Sequence, residues 1–463
     1  MRFDTIIKGG TVVTASETLP DTDVAIIGEK ICAVGKGLAS SAEAGRVIDA
    51  TGKIVIPGGL DVHVHLELPF MGSVSCDDYD SGHRGAARGC VTTTIDFAIP
   101  FGDDTLNDAV DGWMKRAEKA CVDYSFHVAI TDYERHAPEM ASIIERGLPT
   151  FKEFMIYASQ GWQSNDSDIY RTLQDCKRLG GMLLVHAESS DVLDMLIARH
   201  HNEEDMKKLG AQLHTITRPH VVEWEAIQRA ITWSETTGGK LYIVHMSTGA
   251  GADIVKAAQQ RGVPVLAETC AQYFVLHDDL FAGPDGHLYA CQPQIKRPED
   301  SERLWKGVQD GEVCIVSTDT CSFTREQKDS WGGDWMKIPM GMPGLETLMP
   351  LVYTEGVLGG RISINKFVEV CCANPAKKMN LYPRKGTIAP GTDADIAIFD
   401  PEKRKKVDWR ELESRCDWSP FQGFELAGFA ETTLCRGKVI VEGGKFVGEN
   451  GYGQFLPRPP YEY

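Results

Sequence analysis

Three kinds of residue in this chain could serve one chemistry. His63 and His65 stand one residue apart in Leu60-Asp61-Val62-His63-Val64-His65, where residue character alternates with period two. On a strand that spacing puts both imidazoles on one face, within reach of one metal ion, and neutral imidazole is the commonest biological metal ligand. His186 and His245 each close an apolar run, and Asp319 follows another. Four imidazoles and a carboxylate suit two divalent ions. Lys152, in Thr150-Phe151-Lys152-Glu153-Phe154-Met155, is the third kind. Turned inward, its amine would lose hydration and its pKa would fall; a neutral amine can add carbon dioxide and become a carbamate, an anion that bridges two cations. The pattern leaves open the opposite orientation, with Lys152 outward and Glu153 inward.

These residues need a scaffold that gathers strand ends. Eight strand-like apolar runs occur at 60–65, 91–97, 124–130, 150–155, 182–186, 241–245, 263–268 and 313–317. Helical periods fall between most of them, at 106–120, 138–146, 168–179, 222–236 and 252–260. Strands alternating with helices eight times predict a (β/α)₈ barrel, whose active site lies at the C-terminal ends of its strands. The rival doubly wound sheet lacks a GxGxxG after its first strand. Residues 1–57 contain short β-like runs punctuated by glycine, and similar runs return within 381–450. Together they predict one small β-sandwich built from both chain termini, flanking a barrel over 58–380. The stretch 451–463 is rich in proline and aromatics, and we expect it to pack on a neighbouring subunit.

Composition narrows the function. The chain has 463 residues, 48 of them basic and 66 acidic, for a net charge of −18, which repels nucleic acid and anionic membranes. Charged residues at 25% and hydrophobic ones at 42% describe an ordinary globular protein. Thirteen scattered cysteines without a CxxC pair read as reduced core residues, and the start lacks an apolar leader, so we expect a cytoplasmic protein acting on small molecules. Trp331, Trp335, His200, His201, Cys371, Cys372 and His220 read as loop, surface or core residues without chemistry.

The motifs His63-Val64-His65, Lys152 with Phe154-Met155-Ile156-Tyr157, His186-Ala187-Glu188, His245-Met246-Ser247, Glu268-Thr269-Cys270-Ala271-Gln272-Tyr273 and Ser317-Thr318-Asp319 resemble those of the cyclic amidohydrolases. Within them the likeness is strongest to the dihydropyrimidinase and hydantoinase branch, and it extends through Gly386-Thr387-Ile388-Ala389-Pro390-Gly391. The resemblance implies two zinc ions, with manganese or cobalt as alternatives, bridged by carboxylated Lys152 and a hydroxide, usually in a homotetramer. It implies that His63, His65 and Asp319 hold the more buried ion and His186 and His245 the more exposed one. Tyr157 would donate to the oxyanion, and Asp319 would carry the proton to the leaving nitrogen. The expected reaction opens hydantoins, dihydropyrimidines or related cyclic ureides and imides to N-carbamoyl amino acids. Allantoinase is the alternative, dihydroorotase a weaker one, because Glu67 stands where that branch carries an arginine. A catalytically silent assembly protein is the non-enzyme alternative.

Departures from the family pattern fall at Thr320, at Gln292-Pro293-Gln294 and at Met340. The substrate wall implied by the resemblance comprises Phe70, Phe154, Gln292 and Met340, with Met71 and Met155 adding to it. Such a wall is apolar, and no arginine is expected to meet a substrate carboxylate.

Overall fold

The computed structural model describes residues 2–463. Its centre is a ring of eight parallel strands in sequence order, β1 (Gly59–Val64), β2 (Val91–Ala98), β3 (Asp123–Ala129), β4 (Thr150–Phe154), β5 (Met182–His186), β6 (Leu241–Ile243), β7 (Val265–Cys270) and β8 (Ile315–Ser317). The ring closes where the His65 amide donates to the Thr320 carbonyl at 2.8 Å and Val64 bridges Thr320. Every residue of β1 and β2 is buried, as a parallel sheet covered on both faces requires. The helices supply the outer cover. In Asp166–Leu179, Ile169, Thr172, Leu173 and Cys176 recur at helical spacing and are buried, while Asn165 caps the start and Gly180, at φ +81°, ends it.

Strands from both ends of the chain form one nine-stranded sheet beside the barrel. The joint is the antiparallel pairing of Ile54–Pro57 with Ile396–Phe399, through which the N-terminal strands Arg2–Val13 and Thr18–Ile27 connect to Thr432–Cys435 and Lys438–Glu442. Lys385 fastens this sheet to the barrel. Its buried ammonium lies 2.6 Å from Asp123 at the start of β3, 3.0 Å from Asp393 and 2.5 Å from Asp395, and Arg436 meets Asp123 at 3.0 Å. A buried lysine surrounded by carboxylates keeps its charge, and its pKa is raised.

Two segments lie where sequence pattern gave no guide. Residues 407–424 leave the β-domain and reach the barrel: Trp418 Nε1 donates to Phe323 O at 2.8 Å, and Ser414 Oγ donates to Asp77 at 2.6 Å. Residues 451–463 run along the floor of their own barrel. The Tyr124 amide donates to Gln454 O, the Leu456 amide to Tyr124 O, the Arg458 amide to Gly147 O and the Tyr461 amide to Gly180 O, all at 2.7–3.0 Å. Arg458 is buried, with Nε 3.1 Å from Ser125 Oγ and Nη2 2.7 Å from Thr150 Oγ1. The tail that we expected on a neighbouring subunit is thus held on its own barrel, whose floor offers backbone groups that it satisfies. Among the described residues no helix is long and apolar enough to cross a membrane.

Candidate metal centre and active site

The strand ends meet at the mouth of the barrel. His63 on β1 and His65 just beyond it each place Nε2 3.2 Å from Asp319 Oδ1, beyond β8. His186 at the end of β5 turns Nδ1 toward His245 Nε2, 2.9 Å away. The His63 and His245 rings are 5.2 Å apart, so the two groups adjoin. Lys152 on β4 points inward, 1% exposed, its ammonium 5.3 Å from the Phe97 ring and 5.2 Å from the Phe154 ring. Glu153 points the other way and accepts from Thr172 Oγ1 at 2.8 Å. The alternation of β4 therefore takes the first of the two orientations that the sequence left open.

Burial sets the protonation of these groups. It holds the His63 and His245 imidazoles well below their ordinary pKa, and lowers that of His186, so all three are in the neutral form that binds metal. It also brings Lys152 down to about 7, where the free amine is available. His63 Nε2 and His245 Nδ1 are buried without a hydrogen-bond partner in the protein, and the ligand atoms of His63, His65 and Asp319 lie within 4.8 Å of one another. Buried polar atoms are ordinarily paired, and ion binding would pair His63 Nε2. The donor set fits two divalent cations.

Second partners aim the imidazoles. His63 Nδ1 faces Glu268 on β7, whose other oxygen accepts from Tyr242 OH at 2.5 Å and whose first oxygen also accepts from the His245 amide at 3.1 Å. His186 Nε2 contacts Glu188 at 2.7 Å. Such contacts fix the tautomer and ring orientation of a ligating histidine. Asp61 accepts from Thr318 Oγ1 at 2.6 Å and so braces the chain at Asp319. Tyr157, His245 and Asp319 have φ of +75°, +38° and +52°, left-handed values that cost a non-glycine residue energy and concentrate at functional sites.

The cavity over the histidines, about 40 Å³, is lined further by Phe70, Phe154, Tyr157, Gln292 and Met340, and also by Trp162 and Cys321. Trp162 stacks on Phe70 with centroids 5.4 Å apart and was not found from sequence, where it sits in a loop with no period. Tyr157 keeps its proton, since burial and the nearby Glu188 and Asp319 carboxylates raise its pKa. Met71 lines an outer chamber; Met155 is buried and lines neither space. Thr320 directs its hydroxyl to Met342 O at 3.4 Å. Glu67, which stands where the dihydroorotase branch carries an arginine, does not line the cavity and lies 3.8 Å from Lys119. No arginine lines the cavity over the histidines, but Arg218 lines the outer chamber together with Tyr157, Gln292 and Met340.

A barrel whose mouth gathers two clusters of strand-end histidines and a buried lysine into one cavity has the form of a metal-dependent hydrolase. Residues 54–440 match the model of the amidohydrolase family. The chain is 37% identical to the D-hydantoinase of Streptomyces coelicolor over all of both chains, and 38% identical to that of Geobacillus stearothermophilus over 98% of this chain and 97% of the relative. Its fold superposes on the crystal structure of dihydropyrimidinase from Brevibacillus agri with a TM-score of 0.95, at 36% identity and 99% coverage of each chain. This protein belongs to the amidohydrolase family.

Proposed function

We propose that this protein is a cyclic amidohydrolase that opens hydantoins and dihydropyrimidines to N-carbamoyl amino acids. The observation that carries the reading is the meeting of four imidazoles, Asp319, inward-facing Lys152 and Tyr157 around one small cavity. His63, His65 and Asp319 would hold one divalent ion, His186 and His245 the other, and Lys152, carboxylated, both. When bound, the ions, zinc in this reading, supply Lewis acidity and lower the pKa of water toward neutrality.

The chain's own groups do the rest. Phe70, Trp162 and Phe154 form an apolar wall against which a flat ring lies, and they exclude bulk water. Gln292 Oε1 is buried without a protein partner and accepts from a ring N–H. Tyr157, still protonated, donates to the carbonyl oxygen as negative charge develops on it. Asp319 accepts a proton from water as the new C–O bond forms, then passes it to the nitrogen as the C–N bond breaks. Water thus supplies the carboxylate oxygen of the product and the hydrogen on its freed nitrogen. A cytoplasmic homotetramer is part of this reading; thirteen free thiols, all but Cys32 and Cys76 buried, support a reducing compartment.

The test is a kinetic panel with mass-spectrometric identification of products. Neutral 5-substituted hydantoins or dihydropyrimidines are expected to exceed dihydroorotate in kcat/KM by about a hundredfold or more, because the ring cavity buries a carboxylate attached directly to the ring without a partner. Dihydroorotate or a linear amide as the best substrate would overturn the assignment.

A further inference from the structure

Outside the metal cavity lies a larger chamber of about 330 Å³. The two spaces share Tyr157, Gln292 and Met340, so a substituent on a ring held over the histidines has its way out into this chamber. Most of its wall is neutral. The exceptions are Arg218 on the inner side and exposed Asp194 on the helix Ser190–His200.

Arg218 is 2% exposed and is held from one side only. Its Nη1 lies 3.2 Å from His214 Nδ1, and His214 Nε2 in turn donates to Cys291 O at 2.8 Å, which fixes the neutral ring with Nδ1 as acceptor. Among the described residues Nη1 is the one guanidinium nitrogen with a hydrogen-bond partner, and Nε is buried without any. Glu188 balances the charge at a distance, with Oε1 3.8 Å from Nε, too far for a hydrogen bond, and Oε2 engaged by His186. Nε is enclosed by protein beside Glu188, whereas Nη2 has no partner and is not enclosed, so Nη2 is the donor free to meet a carboxylate oxygen in the chamber whose wall Arg218 forms.

We propose that this chamber is the substituent subsite and that Arg218 is a specificity-determining residue that receives a carboxylate at the far end of a flexible ring substituent. A carboxylate on the ring itself stays in the small cavity and does not reach it; one carried on a short aliphatic arm does. Asp194 opposes the same group from the outer wall and limits the preference. The products of such substrates are N-carbamoyl derivatives of acidic amino acids. This inference rests on the ring-opening reading above and deepens it.

The test compares hydantoins that carry a carboxyethyl or a carbamoylethyl arm, isosteric but for the charge. For the unaltered protein the acid-to-amide ratio of kcat/KM is expected to be about ten or more. Arg218→Lys, which keeps a charge but not the fork, is expected to lower that ratio at least about tenfold, and Asp194→Asn to raise it about threefold. A ratio at or below one in the unaltered protein, or one that neither substitution moves, overturns the proposal. If Arg218→Lys fails to fold, the unaltered protein and Asp194→Asn, at an exposed position, decide the matter by the same criteria. Failure of the ring-opening reading would look different, since then neither hydantoin would be opened.

Discussion

His186 Nδ1 and His245 Nε2 stand 2.9 Å apart at the ends of adjacent barrel strands, while the other nitrogen of His245 is buried without a partner. Burial keeps both rings neutral, so they do not repel each other as imidazolium ions and are ready to share a cation. Elemental analysis of metal-replete protein is expected to give about two divalent ions per chain. Chelation is expected to lower Tm, because an ion bound only by the folded chain stabilises it by mass action. One ion or none would count against the binuclear centre.

Lys152→Ala removes the inward-facing side chain that we propose links the two clusters when carboxylated. Metal content and activity are both expected to fall by most of their value, with Lys152→Glu restoring part of the metal through its shorter carboxylate. A variant that keeps two ions would show that Lys152 does not bridge.

Tyr157→Phe keeps the ring against Phe70, where the centroids are 5.6 Å apart, and deletes only the hydroxyl. Steady-state kinetics are expected to show kcat down by about a hundred- to a thousandfold with KM little changed, the signature of a donor used in the transition state. A change confined to KM would assign Tyr157 to binding alone.

Glu268→Gln tests whether the contact with His63 Nδ1 aims that ring. Burial raises the Glu268 carboxyl to about 8, and Tyr242 shares it. Loss of this carboxyl group is expected to weaken metal affinity about ten- to a hundredfold, read by competition with a chromophoric chelator. Unaltered affinity would leave Glu268 as a packing residue.

Lys328 is buried, and desolvation lowers its pKa to about 7; its Nζ donates to Ala290 O at 2.9 Å. Between about 7 and its unfolded value of 10.5 the unfolded chain binds a proton that the folded chain does not, so stability contributed through this group rises with pH across that window. Below it, the full cost of a buried charge is present. Lys328→Met is therefore expected to gain in Tm relative to the unaltered protein near pH 6 and to lose that advantage near pH 9. A difference constant across this range would show that Lys328 does not titrate there.

Deleting residues 451–463 removes Arg458 from the barrel floor and leaves Ser125, Thr150 and the Phe126 carbonyl without that partner. The loss is expected to lower stability by about 2–4 kcal/mol, read from denaturant unfolding. Light scattering on the same variant tests the proposed second role of the tail, in assembly: an unchanged particle mass would confine it to the floor of its own barrel.

The sequence by itself determined what is local. His63 and His65 share a face because strand geometry fixes i and i+2, and eight apolar runs separated by helical periods specify a barrel whose strand ends converge, so the residues that meet at its mouth could be named before any distance was known. The orientation of Lys152 could not, because alternation allows either of two adjacent residues to face inward; packing of Glu153 against Thr172 settled it. Contacts between segments far apart in the chain were also beyond pattern. Glu67 follows His65 by two residues, yet the chain turns at φ +50° and takes it toward Lys119. Trp162 and Arg218 come from loops without period, and only the folded chain brings one onto Phe70 and the other to the wall of the chamber beside Tyr157. Short-range spacing is set by covalent geometry, whereas the substrate wall is assembled by loops whose paths depend on what the barrel leaves uncovered.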